Sequence, residues 1–378
     1  MGRQSDRINQ LIHNMMRSYL VRQYSRKLNQ IRKLHPELFK NRDVGFERSF
    51  ALYWRELLPT MNPCWATLYA SLSGIKDVRF VPEDVFYGII ERCLNNCDGA
   101  GGYIEDKFDA NFYIPNELRP RVVIAFNRGV FFDSQLLPIT ESRAQSILNT
   151  FSGPVVGKPA AGTSGGSGVC LFRDFGRMKQ CGETVLTTEY IEKSFESYIV
   201  QEVVRQDTTI SVFNPHSLNT CRLVTFRRPW SGEVSVIAGM LRMGGGKEIT
   251  DNVTRGGVCV DVDGDGKLAD YGIDYRFKKI NEHPISHVSF SDKIIPNYEK
   301  MSKAVCEVAA RIPGFNLLGF DVVVRDTGEP CIIEINGSSI SLKPQTHRPL
   351  FGEETDQVKE WCKSHLRYDN IRHLRTWY

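Results

Sequence analysis

Along the first sixty residues, apolar side chains recur at intervals of three and four. Ile8, Leu11, Ile12, Met15 and Met16 set that spacing, which is the period of an amphipathic helix. Helix is therefore expected from residue 6 to about 58, punctuated by Pro59 and Pro63. "DVRFVPEDVFYGIIERCLN" (77–95) reads as a short strand followed by a helix. Pro82 stands near that helix start, and Glu83 and Asp84 occupy its first turn, where the positive end of the helix dipole favours carboxylates. Residues 96–106 read as a loop and 119–133 as a hairpin turning at Asn127, Arg128 and Gly129. Residues 140–149 read as a helix with Thr140 as N-cap.

From about residue 153 the apolar period shortens to two. Segments 153–172, 197–204, 220–228 and 233–243 read as strands, the first interrupted by a glycine-rich loop. A helix is expected over 300–314, with Met301, Val305 and Val308 inward, and no repeat is visible. Strands in antiparallel succession with a few packed helices make an α+β chain.

The last hairpin, "GFDVVVRDTGEPCIIEIN" (319–336), carries chemistry among its valines and isoleucines. If its turn is symmetric about Thr327–Gly328, Asp321 lies opposite Glu334, with Cβ atoms roughly 5 Å apart. Asn336 shares that face, because the side-chain period of a strand is two. Two facing carboxylates call for positive charge between them. Mg²⁺ suits the place, since it takes one or two carboxylates and leaves other positions to water and phosphates. A solvent-facing polar stripe is the plainer alternative, and a bulge at the turn would alter the register.

Composition narrows the class. A chain of 378 residues with 41% hydrophobic and 24% charged residues is an ordinary globular protein. The net charge of +4 is too small to argue for nucleic acid. Residues 1–50 nevertheless hold eleven Lys and Arg against four Asp and Glu. That segment could touch a membrane surface or an acidic partner, or simply form the solvated face of a helix. It lacks the aromatic interleaving of a nucleic-acid binder. Ten cysteines without a CxxC pair, and no apolar leader, read as reduced thiols. No apolar run reaches membrane-spanning length, so a cytoplasmic protein is expected.

"GKPAAGTSGGSG" (157–168) is neither a Walker loop nor a dinucleotide fingerprint. Set between two strands, its backbone N–H groups could close over phosphates, with Lys158 reaching the same anion from the preceding strand. Arg222, among Leu223, Val224 and Phe226, is either an exposed alternate residue or a buried anion ligand. Asp261, Asp263, Asp265 and Gly266 match the first half of a calcium-binding EF-hand loop, but Gly272 stands where a bidentate Glu is required. The segment is read instead as a hairpin turn.

Taken in order, "VVGKPAAGTSGGSGV", "SLNTCRLVTF", "DNVTRGGVCVDVDGDG" and "LLGFDVVVRDTGEPCIIEIN" resemble the ATP-grasp superfamily, and most closely its sugar-transfer-associated branch. The likeness runs from about 77 to 350. It implies two α+β subdomains clasping ATP, here preceded by a helical N-terminal region. The expected divisions are 1–60 (helical, basic), 61–150 (α/β), 151–350 (the ATP-grasp domain, parting near 205) and a C-terminal helical tail, 351–378.

By position, the resemblance makes Lys158 a contact to the α-phosphate and adenine. It makes Gly162, Thr163, Ser164, Gly165, Gly166, Ser167 and Gly168 the phosphate-covering loop, and Glu202, Val203 and Val204 the adenine-edge linker. Arg222 would steady the γ-phosphate. Asp321, Glu334 and Asn336 would hold Mg²⁺, two ions being expected and Mn²⁺ an alternative. Lys107 competes with Arg121 as the second nucleotide contact. Asn219, Arg242 and Asp251–Asn252 would line the acceptor side. The implied activity is an ATP-dependent ligation of a carboxylate to an amine through an acyl phosphate, with a uronic-acid-type sugar as the expected carboxylate and polysaccharide biosynthesis as the setting. A kinase of a sugar hydroxyl and a non-catalytic nucleotide- or partner-binding protein are the alternatives. Oligomeric state and the base for the amine are left open.

Overall fold

The computed structural model describes residues 2–95, 104–161, 167–176, 178–246, 256–274, 276–338 and 340–365. Its helical N-terminal region comprises α1 (Gly2–Leu34), α2 (Val44–Trp54) and α3 (Cys64–Ser73). The expected helix breaks at His35, because Pro36 cannot continue it and opens a 3₁₀ turn instead. Asp43 restarts the helix as an N-cap, accepting the Phe46 N–H. Of the early apolar series, only the Met15 side chain lies among the described residues, and it is exposed. Leu28 and Ile31, further along the same helix, are buried.

Residues 77–81 are not a strand. Their place is fixed by Gln345, whose side-chain amide accepts from the Val81 N–H at 3.0 Å and donates to the Val81 carbonyl at 2.7 Å. One side chain thus satisfies both backbone groups that a neighbouring strand would have paired. Beyond Pro82, helical turns Glu83–Val85 and Glu91–Leu94 flank a π-helical turn, Phe86–Ile90.

Fifteen strands follow among the described residues: β1 (Val122–Asn127), β2 (Val130–Phe132), β3 (Pro138–Ile139), β4 (Val155–Pro159), β5 (Cys170–Phe175), β6 (Met178–Cys181), β7 (Thr184–Val185) and β8 (Ser197–Glu202). Then come β9 (Thr220–Arg227), β10 (Val234–Met243), β11 (Val258–Val262), β12 (Leu268–Asp274), β13 (Lys279–Ile280), β14 (Leu317–Val324) and β15 (Pro330–Asn336). Helices α4 (Glu141–Thr150), α5 (Thr188–Ser194), α6 (Tyr298–Ala310) and α7 (Thr355–His365) complete the chain. Thr140 caps α4 through the Arg143 N–H, as its sequence suggests.

Two antiparallel sheets result, ordered β3-β2-β1-β8-β4-β5-β6-β7 and β13-β12-β11-β10-β9-β14-β15. In the first, β8 lies between β1 and β4, so residues on both sides of position 150 belong to one sheet. The division near 205 falls where the chain passes from one sheet to the other. In the second sheet, Leu223, Leu241, Phe320 and Val322 pack with Met301, Val305 and Val308 of α6. The alternate residues Val224, Phe226, Ala238 and Met240 pack with α1–α3 and α7. The N-terminal helices therefore share a core with the second sheet. Each large apolar side chain sealed there, such as the fully buried Phe50, is worth roughly 2–3 kcal/mol relative to exposure.

The β14–β15 hairpin reaches its expected pairing by an unexpected route. The turn is centred on Thr327, with the Arg325 N–H donating to Glu329 and Gly328 at φ 82°, a conformation that costs glycine little. That shifts the ladder by one residue, so Val322 faces Ile332. A bulge between Asp321 and Val322 shifts it back. Beyond the bulge Asp321 faces Glu334 and Gly319 faces Asn336. The Asp263–Gly266 segment is likewise a hairpin turn between β11 and β12.

Candidate active site

Period-two alternation places a charged row on the face of the second sheet turned away from α6. Glu334 on β15 lies opposite Asp321 on β14, which lies opposite Arg222 on β9. Arg222 in turn faces Met240 on β10, with Arg242 two residues further along the same face. The sequence alternatives for Arg222 resolve toward the buried one. Its Nε and Nη2 donate to the two Asp321 oxygens at 2.6 and 2.9 Å, the planar bidentate geometry that suits arginine to a carboxylate. Arg242 Nη1 donates to both oxygens as well, at 3.0 and 2.9 Å. Gly319 makes room for this. A Cβ there would lie 3.3 Å from the Arg222 side chain, so the missing side chain is the space the guanidinium stem crosses. Burial by itself would raise the Asp321 carboxyl, but the two guanidinium groups outweigh it and hold the group at about 2.

The first sheet supplies the opposing wall. Lys158 on β4 pairs with Ile199 on β8 and shares its face. Lys158 is 6% exposed, and no hydrogen bond or ion pair reaches its ammonium from the described residues. Burial, with the Lys107 ammonium nearby, lowers it from 10.5 to about 8, and Glu334 opposes that shift only in part. Lys107 arrives from the 104–112 segment, its backbone N–H bonded to the Ala160 carbonyl at 2.9 Å. Its Nζ stands 3.9 Å from Glu334 Oε1. Two lysines and one carboxylate from three separate segments thus converge where the sheets meet. A small cleft opens there, lined by Lys107, Gln201 and Glu334 among isoleucines. Arg121, the competitor of Lys107, instead carries its guanidinium over the Phe151 ring, 5.9 Å from the centroid.

After Glu202 the linker leaves the sheet. No hydrogen bond from a described residue reaches the backbone of Val203 or Val204, while the Val204 side chain packs on Val323 and Cys331 of the second sheet. The Glu202 carboxylate accepts from the Arg121 N–H at 3.2 Å and from Arg325 Nη1 at 3.3 Å. Arg325 also donates to the Arg119 carbonyl at 2.8 Å. It ties the hairpin turn of one sheet to the edge of the other. Sequence reasoning passed over this residue, because an arginine beside a turn reads as solvated.

Other expected residues lie elsewhere. Asn219 is buried, and its Nδ2 donates to Gln206, to the Ile210 carbonyl and to the Asn214 carbonyl. It fixes the loop before β9 rather than facing Asp321. Gly162–Gly166 and Asp251–Asn252 lie outside the described residues. Ser167 and Gly168, which close the glycine-rich segment, form a turn before β5.

The oxygen donors can be tested against Mg²⁺. Every Asp321 oxygen is already taken up by guanidinium N–H groups. Among the described residues Glu334 has only the long Lys107 ion pair, and Asn336 donates through Nδ2 to the Gly319 carbonyl at 3.4 Å, leaving its Oδ1 without a described donor. Glu334 and Asn336 are therefore hard oxygen ligands with capacity to spare, which fits a small divalent cation completed by water and phosphate. No cluster of three His, Cys, Asp or Glu side chains suited to a metal occurs among the described residues. No helix among them is long and apolar enough to cross a membrane.

The sequence matches the family described as sugar-transfer associated ATP-grasp over residues 104–356. No curated protein matches it. Among solved structures, it resembles the L-amino acid ligase from Bacillus licheniformis at 12% identity and a TM-score of 0.34, over 62% of this chain and 41% of that one. The VanG D-Ala:D-Ser ligase from Enterococcus faecalis gives 12% and 0.39, over 69% of this chain and 62% of that one. A biotin carboxylase from Campylobacter jejuni gives 11% and 0.38, over 69% and 46%. In each case the match spans less than two thirds of the solved chain.

Proposed function

The chain belongs to the sugar-transfer-associated ATP-grasp family, and we propose that it joins a carboxylate to an amine at the expense of ATP. The observation that carries this reading is the buried Lys158 ammonium, which has no hydrogen-bond or ion-pair partner among the described residues. A buried cation that Glu334 offsets only in part favours an anion arriving from outside. Phosphates of ATP supply it, with Lys107 as the second contact and the unpaired backbone of Val203 and Val204 free for the adenine edge. Glu334 and Asn336 would hold Mg²⁺, which when bound would neutralise charge on the phosphates.

In this reading Arg222 and Arg242 exchange partners, from the Asp321 carboxylate to the γ-phosphoryl group. The exchange leaves no guanidinium unpaired and frees Asp321 as a further oxygen ligand. The substrate carboxylate attacks phosphorus, the bond to the ADP oxygen breaks, and an acyl phosphate forms. The amine then attacks the acyl carbon, and phosphate leaves with the C–O electron pair. Positioning and electrostatics supply most of the rate in such transfers, so no side-chain nucleophile is needed. A uronic-acid-type sugar as the carboxylate, in a glycan pathway, follows only from the family's description.

The test is incubation with Mg-ATP, hydroxylamine and a panel of uronic acids and amino acids, assaying hydroxamate, ADP and phosphate. Hydroxamate with ADP and phosphate supports the ligase and names its carboxylate. ADP with a stable phosphoester and no free phosphate would instead identify a kinase.

A further inference from the structure

The Asp261–Asp265 motif divides in the fold. Asp263 belongs to the turn, where its Oδ1 accepts the Asp265 and Lys267 N–H groups at 3.0 and 2.8 Å. Asp261, on β11, is turned into the protein and is only 6% exposed. Its Oδ2 accepts from Arg348 Nη1 at 2.8 Å. Its Oδ1 is buried, with no hydrogen-bond partner among the described residues. Leaving a buried acceptor unsatisfied costs about 1–3 kcal/mol, so this oxygen is poised for a donor that the described residues do not supply.

Its position says which donor. Asp261 faces Met240 across the β10–β11 ladder, and Met240 faces Arg222 across β9–β10. The row Glu334–Asp321–Arg222–Met240–Asp261 therefore crosses the sheet on one face. Asp261 stands two strand spacings from Arg222, roughly 10 Å. It is also a diagonal neighbour of Arg242, whose pairing partner on β11 is Cys259. Asp261 thus lies on the β11 side of Arg222 and Arg242, on the same face of the sheet.

We propose that Asp261 is the proton acceptor for the amine nucleophile, binding its N–H through Oδ1. This inference rests on the ligase reading above. The ammonium nitrogen passes a proton to Oδ1. Its freed lone pair forms the C–N bond as the acyl C–O bond breaks and phosphate departs with the electron pair. The second nitrogen proton goes to water, and Asp261 returns its own to solvent. The charged and titratable groups around Asp261 are Arg348, from the segment after β15, Asp263, in its own hairpin turn, Tyr271 on β12, Tyr298 on α6 and the diagonal Arg242. Burial pushes the carboxyl up to about 7, against the lowering by Arg348 and with a smaller push from Asp263. A base with that affinity works near neutral pH.

The experiment compares wild type with Asp261→Asn, which keeps an acceptor for Arg348, using Mg-ATP and the carboxylate that yields hydroxamate. Hydroxylamine is largely unprotonated at pH 7 and needs no base, whereas an alkyl ammonium does. The ratio of amide to hydroxamate should fall by about 10²-fold or more in Asp261→Asn, and Asp261→Glu should recover part of it. An unchanged ratio, whether both rates drop or neither does, overturns the assignment. Wild-type protein that makes ADP but no hydroxamate overturns the ligase reading itself, a result visible before any variant is compared.

Discussion

Replacing Lys158 with methionine should stabilise the free protein and abolish its response to nucleotide. Methionine keeps the apolar stem and removes the ammonium, so packing on β4 changes little. Burial and Lys107 lower the Lys158 proton affinity from 10.5 to about 8. At roughly 1.4 kcal/mol per tenfold change in affinity, that difference is worth about 3 kcal/mol. The sign follows from linkage. Below about pH 8 the lysine is protonated in both states, and the folded state carries the full penalty. Between about 8 and 10.5 the unfolded chain binds more protons than the folded one, so stability rises with pH and the penalty fades.

Urea unfolding of wild type and Lys158→Met at pH 7 and at pH 10 measures this directly. At pH 7 the variant should be the more stable by up to about 3 kcal/mol, and at pH 10 the difference should shrink to about 1 kcal/mol. Saturating Mg-ATP should raise the wild-type midpoint by mass action and leave the variant's unmoved. A variant less stable than wild type at pH 7 would refute the claim that burial of this ammonium is only partly offset by its surroundings. A variant that still responds fully to Mg-ATP would refute its role as a phosphate contact.

Four further outcomes test the surrounding structure. Asp321→Ala leaves Arg222 and Arg242 facing each other without their carboxylate, and should cost about 3–5 kcal/mol in urea unfolding as well as all ATP turnover. In wild type, the depressed Asp321 carboxyl contributes about 2 kcal/mol above pH 4, lost as pH falls toward 2; a flat stability profile over that interval would contradict the paired geometry. Arg325→Ala releases Glu202 and the Arg119 carbonyl, and should weaken Mg-ATP binding by about tenfold, near 1.4 kcal/mol, in calorimetric titration; unchanged affinity would show that this tie between the sheets does not shape the nucleotide site. Gln345→Leu strands the Val81 N–H and carbonyl, and an unfolding free energy lowered by less than about 1 kcal/mol would show that other groups satisfy them.

Much of this was legible from local pattern. The strand period put Asp321, Glu334 and Asn336 on one face, and the 300–314 period put Met301, Val305 and Val308 inward. These are properties of a single segment, decided by the geometry of one strand or one helix. Even so, the pairing of Asp321 with Glu334 came out as expected because a shifted turn and a compensating bulge cancel, which no symmetric reading of the loop contains. The strand expected at 77–81 failed for the complementary reason: its backbone is claimed by Gln345, 264 residues away.

Residue types and their order were enough to propose a nucleotide site. The partners of those residues were not. Asp321 reads alone as a metal ligand, yet two arginines, 99 and 79 residues distant in sequence, take up both its oxygens. Lys158 reads as one more cation, and only the meeting of two sheets leaves it buried beside Lys107 and Glu334. Asp261 reads as part of a turn until the β10–β11 register carries it onto the same row as Arg222. A sequence fixes which way a strand side chain points relative to its neighbours. Which strands flank it, how far water is excluded and therefore what charge it can carry depend on contacts closed across the whole chain, and those exist only once the sheets have assembled.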